Sequence, residues 1–218
     1  MNSVMIRPIL PTVPRIPDMS SDTALLVLSY TAFLLIVGAI AVFLGLYATK
    51  RFQGNKTKTT LAFVGITLVV SALLLCFFGC AVSAVKGCLL LFILLFSSYS
   101  DIKTRKADDW LSVMIVLTAF IGTEVADISL KLLAAVLITL PMFLIIIVCH
   151  GKAVGGADVK LTAACTFMLG LVRGVSGLIA GLTLGIIVNL IINMKKNKAE
   201  GFPLIPYLAA GFMAAYFI

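Results

Sequence analysis

The sequence predicts an all-α protein, a polytopic membrane helical bundle of about eight transmembrane helices. Three observations carry this. Hydrophobic residues make up 61% of the 218 and charged ones 12%, against roughly 45–50% and about 25% in soluble domains. The mean hydropathy of +1.17 is too high for an apolar core inside a polar shell. Cutting the chain at its charges also leaves eight apolar stretches, with too little between them for a soluble domain.

Residues 1–22 are Pro-rich and carry Arg7, Arg15, Asp18 and Asp22, which predicts an external tail, with residues 7–17 flexible, rather than a signal peptide. Spans one and two are 23–49 and 59–85, each long enough to cross about 30 Å of hydrocarbon, which takes about 20 helical residues. Spans three, four and six, at 87–100, 110–123 and 161–172, fall short. At about 1.5 Å per residue a 14-residue run reaches only about 21 Å. These helices are expected to continue into their charged flanks or to sit in thinned bilayer. Spans five, seven and eight are 132–149, 174–194 and 201–218. Gly177, Gly181 and Gly185 recur at every fourth position of the seventh span, a spacing that suits close helix packing. The chain divides into residues 1–85, the tail plus two accessory helices, and a six-helix core at 86–218.

The net charge of +8 does not point to nucleic acid, because the basic residues fall in small groups between apolar runs. Loops after spans one, three, five and seven hold twelve of the 17 Lys and Arg; the opposite side holds Arg7, Arg15, Lys86, Lys131 and Arg173. Cytoplasmic loops collect Lys and Arg. Both termini are therefore expected outside, with Asp101 and Asp158 on the cytoplasmic side. The cysteines form no C-x-x-C pair and read as small apolar residues, so no metal site or cofactor is expected. His150, beside Cys149, lacks partners for a ligand role.

Asp and Glu total only nine. A carboxylate beside lipid is costly and is a candidate for function by default. Asp158 opens an apolar run in GGADVKLTAAC, after Gly155, Gly156 and Ala157 and before Lys160; Asp101 closes another in SYSDIKTRK. Each has a plainer reading, Asp158 as a helix cap and Asp101 as an interfacial charge balanced by Lys103 and Arg105. Their placement on one membrane face favours a pair that shares one proton and activates water.

With these residues in this order, the chain resembles the type IV prepilin peptidases, membrane aspartic proteases of the GxGD class. DIKTRKADDWL matches the basic loop and Trp-led helix after the first Asp. GGADVKL matches the GxGDxK region, and FPLIPYLAAGFMAAY the Pro-containing last helix. The resemblance implies catalysis by Asp101 and Asp158, shaped by Gly155, Gly156, Ala157 and Lys160. It implies pilin-like precursor proteins as partners, beside membrane lipid, in the cytoplasmic membrane of a prokaryote. The sequence departs from the family at Ala157, where Gly is usual, and at Ala107-Asp108-Asp109, where Pro-Asn is common. A Cys-rich methyltransferase domain is absent, so peptidase activity alone is expected. By the same resemblance, leaders are basic before the cleavage point. Asp108 and Asp109 are candidates to attract one; their plainer role is to cap the helix that begins at Trp110. Lys160 is a candidate to tune the pair or meet an acidic substrate residue, or else a positive-inside anchor.

Rival readings are a related protease acting on archaellin precursors or other membrane peptides, a proton-coupled transporter, and an inactive scaffold. A transporter should show inverted repeats or midplane charges; neither is visible.

Overall fold

Helix formation follows the apolar runs, and breaks fall where glycine or charge interrupts them. The structure, a computed structural model, describes residues 19–106, 108–148, 155–195 and 202–218. The Pro-rich tail, Cys149, His150 and Lys152 lie outside the described residues. Eight helices occur among those described: α1 Met19–Phe52, α2 Lys56–Phe78, α3 Val82–Thr104, α4 Asp109–Ala119, α5 Val125–Val148, α6 Gly156–Leu169, α7 Leu171–Lys195 and α8 Ile205–Tyr216. No strand occurs among them. By length and composition α1, α2, α3, α5 and α7 can each cross a membrane. The protein is a membrane protein built as a helical bundle.

Two boundaries differ from the charge-cut reading. The second span ends early because Gly79, at φ +61°, caps α2 in a conformation that β-carbon-bearing residues avoid. The sixth and seventh spans part at Gly170, φ +83°, so Arg173 sits inside the first turn of α7. The third span does extend into its charged flanks and takes in Lys86, Asp101 and Lys103. Lys86 is accommodated because its ammonium donates to the carbonyls of Ala119 (2.9 Å) and Ile121 (3.0 Å) and to Thr123 Oγ1 (3.1 Å). A cation there complements the negative end of α4. Helices α4, α6 and α8 stay short, at 11, 14 and 12 residues, or about 17–21 Å.

The main core joins Leu90 and Leu94 of α3, Ile115 of α4, Leu161 and Cys165 of α6, and Leu208 and Phe212 of α8. A smaller cluster of Ala48, Phe63, Phe96 and Leu111 ties α1 and α2 to α3 and α4. Many large apolar side chains, among them Leu25, Phe43, Leu61, Leu133 and Val172, are exposed. On a membrane protein that surface meets lipid.

Glycines line the α7–α8 seam. A β-carbon at Gly177 would stand 2.7 Å from Phe212, and one at Gly181 2.8 Å from the Leu208 backbone. Both are closer than packed carbons approach, so the glycine spacing serves packing.

One end of the bundle collects the C-termini of α1 and α3 and the N-termini of α2, α4, α6 and α8. Contacts that hold it include Thr59 to Tyr99 at 3.3 Å, Arg51 to Asp108 at 2.7 Å and Lys160 to Asp109 at 2.7 Å.

Candidate active site

Asp101 lies in the last turn of α3 and is 8% exposed; Asp158 lies in the first turn of α6 and is 9% exposed. The fold thus brings both carboxylates to the same end and buries both.

Asp101 is held from two sides. Its Oδ2 accepts the N–H of Ile205 at 3.2 Å. Ile205 is the first residue of α8, and Pro206 follows with no N–H of its own. The carboxylate thereby satisfies an orphan donor at the positive end of a helix. The turn after Asp101 is also tied down. Arg105 closes α3 in the left-handed conformation, φ +54°. The hydroxyls of Ser100 and Thr104 donate to the Lys106 carbonyl at 3.0 and 2.9 Å.

Asp158 accepts the Gly155 N–H on Oδ2 at 3.1 Å. This is the return half of a capping box; Gly155 has no side chain to supply the other half. The capping role weighed from the sequence is therefore present, and it occupies one oxygen. A β-carbon on Gly155 would lie 3.0 Å from that oxygen, whereas one on Gly156 would meet nothing. Of the two glycines, only Gly155 packs against the carboxylate. Ala157 lies in the α6 helix and has no positive φ, so its methyl causes no backbone conflict.

Burial pushes Asp158, outside the five membrane-length helices, up to about 6; the Gly155 N–H pulls it down, and the negative charge of Asp101 pushes it up again. The two carboxylates are therefore near enough to feel one another. A hydrophobic carbodiimide, which adds to protonated carboxyls, should label Asp158 below pH 6 and lose that labelling as pH rises through about 6. The measurement is mass spectrometry of the labelled peptide, with Asp158→Asn as control. Labelling that is flat from pH 5 to 8 would show that Asp158 does not titrate there.

The remaining candidates are paired. Lys160 Nζ meets Asp109 Oδ2 at 2.7 Å, both well exposed, and bridges α6 to the start of α4. Arg51 meets Asp108 at 2.7 Å, a charge contact without hydrogen-bond direction. Asp108 is the N-cap residue of α4, but its side chain makes no capping hydrogen bond. Among the described residues, no three His, Cys, Asp or Glu side chains gather as a metal site.

Sequence reasoning missed Arg51, the Ile205 N–H, and the Ser100 and Thr104 hydroxyls. Pro206 at the start of an apolar run signals a helix N-terminus; nothing local says which carboxylate meets it. Two further hydroxyls lie one helical turn from the aspartates. Ser97 and Thr162 are fully buried with no hydrogen-bond partner among the described residues.

Residues 88–194 match the sequence model of the type IV leader peptidase family, Peptidase_A24. This segment is consistent with a type IV leader peptidase family core. It holds Asp101, Asp108, Asp109, Asp158 and Lys160, and the match supports a leader-peptidase-like protease. Helices α1, α2 and α8 lie outside the matched residues, although α8 supplies the N–H that holds Asp101. The chain has no significant match among curated proteins or solved structures.

Proposed function

We propose that the protein is an aspartic endopeptidase that removes the leader of type IV pilin-like precursors at the cytoplasmic face of the membrane. The observation that carries this reading is the pair Asp101 and Asp158: both buried, at one end of the bundle, and inside the leader peptidase match. One carboxylate is ionised and takes a proton from water. The water oxygen bonds to the scissile carbonyl carbon while the protonated carboxyl polarises the carbonyl oxygen. The C–N bond then breaks, and the amine leaves with a proton from the pair.

The direct test is co-expression with pilin-like and archaellin precursors, followed by N-terminal sequencing of the membrane fraction. Release of the leader supports the reading, and the cleaved precursor decides the substrate. An intact set of precursors beside a correctly inserted enzyme refutes it.

Orientation is tested by single cysteines in a cysteine-free background. An impermeant maleimide added outside should label positions 124 and 127 but not 56 or 103. External labelling at 103 would move the site to the other face.

For the loop acids, a basic leader has to compete with Arg51 for Asp108 and with Lys160 for Asp109. Exposed pairs contribute only about 0.2–1 kcal/mol each, so the competition is feasible. Asp108→Asn/Asp109→Asn should raise KM up to about fivefold for a basic leader, with kcat kept and the effect shrinking in salt. Equal effects on a neutralised leader would mean that the acids only shape the loop.

A further inference from the structure

Beside Asp101, on the outer surface of the bundle, lies a groove of about 710 Å³ between α2 and α8, with α3 as its floor. It runs from Ile102 to Leu91 along α3, about 16 Å at 1.5 Å per residue. That is roughly half of a hydrocarbon core of about 30 Å, the depth of one leaflet. Phe217, which follows α8, lines the far end and packs edge-on against Phe77, with ring centroids 5.5 Å apart. A helix that crosses the whole bilayer would extend well past the groove. Something one leaflet deep would match it.

The lining has a single charge, and it is terminal. Lys58 stands at the mouth beside Thr59 and Tyr99; below them the walls are apolar except for Ser98, whose hydroxyl is spent on the Leu94 carbonyl, and Ala62, Ala210 and Ala214 leave room. Lys103 lies 6.0 Å from the Tyr99 ring on the same rim. Among the described residues the ion pairs are Arg51–Asp108 and Lys160–Asp109, so neither rim lysine has a carboxylate partner. An apolar slot one leaflet deep, with unpaired cations at the headgroup end, is complementary to one amphiphile with an anionic head. Basic pockets between membrane helices bind such headgroups.

We propose that this groove is a specific site for one anionic phospholipid of the bilayer, its tails in the α2–α3–α8 slot and its phosphate at Lys58. Ile102 and Pro206, which line the groove, directly follow Asp101 and Ile205 in the chain. The bound lipid thus buttresses the contact between α3 and α8. The inference does not rest on the peptidase reading.

The test uses the full chain in nanodiscs of phosphatidylcholine doped with phosphatidylglycerol of the same acyl chains. Native mass spectrometry then counts the lipid retained on release. The wild type should retain one phosphatidylglycerol in preference to phosphatidylcholine, by about fivefold or more, the worth of one interfacial cation. Lys58→Gln, on an exposed side chain, should bring the two lipids to near parity. Ala210→Leu/Ala214→Leu, which fills the slot, should lose both. A photo-crosslinker at position 210 should capture phosphatidylglycerol. Undiminished preference in Lys58→Gln, unchanged retention in the filled variant, or a crosslink to a protein segment instead of lipid would each overturn the proposal.

Discussion

Asp101→Asn and Asp158→Asn should each reduce leader removal by at least about 10³-fold, within the range that general acid–base catalysis spans, while the chain still inserts. Asparagine keeps the shape and an acceptor oxygen at both positions. The Ile205 N–H can still donate to residue 101 and the Gly155 N–H to residue 158, so both helix contacts survive. Only the ability to take up and release a proton is lost. The variants therefore separate chemistry from structure more cleanly than alanine would. The direction of the stability change adds a second readout. The fold raises Asp158 to about 6, so its ionised form is the disfavoured one. That cost is absent below the ordinary carboxylate value of 3.8, grows as pH rises from there to about 6, and is complete above it. Asp158→Asn removes it, and the variant should be at least as thermally stable as the wild type at pH 8. Processing at near wild-type rate by either variant would end the aspartic assignment. A variant that is inactive but unfolded would be uninformative about chemistry, which is why thermal stability is measured on the same samples.

The second large effect is expected far from any charge, at Gly211→Val. A β-carbon at position 211 would collide with the backbone of Gly177 and Gly181 on α7. Backbone cannot swing aside as a long side chain can, so α8 must lift away from α7. Overpacking of this kind costs about 1–3 kcal/mol or more. Displacing α8 also moves Ile205, the residue whose N–H holds Asp101. A shift of about 1 Å in a supporting element can lower a rate about 10²-fold, and a loss of that order is expected, together with a fall in thermal stability. Gly65→Val, at an exposed glycine of α2 where an added β-carbon meets nothing, is the control and should be nearly silent in both assays. If Gly211→Val kept full activity, α8 would not position the site.

Much of the architecture is legible in the residues because a bilayer is a demanding solvent. Backbone groups in hydrocarbon must be paired within the segment, so long apolar runs are helices whatever their neighbours. That constraint yields eight helices and their alternating direction, and it places Asp101 and Asp158 at one end without any contact being known. The scarcity of acids adds that those two are unusual. Boundaries are read less well. Gly79 and Gly170 ended helices that a charge count extended, because the break depends on a left-handed turn and not on hydropathy.

The helical bundle, the shared end of the two aspartates and the kinship signalled by their motifs can be read from the residues alone. Their surroundings come from tertiary packing. It set the Ile205 N–H, 104 residues away, against Asp101. It placed Asp101 near enough to raise Asp158. It gave Asp108 and Asp109 the cations Arg51 and Lys160, and it opened a slot between α2 and α8. The physical reason is common to all four. Periodicity and hydropathy are properties of a single segment, whereas each of these depends on how separate helices pack. That packing is set by side-chain volumes and by glycines such as Gly181 and Gly211, whose effect is exerted on a neighbouring helix rather than their own.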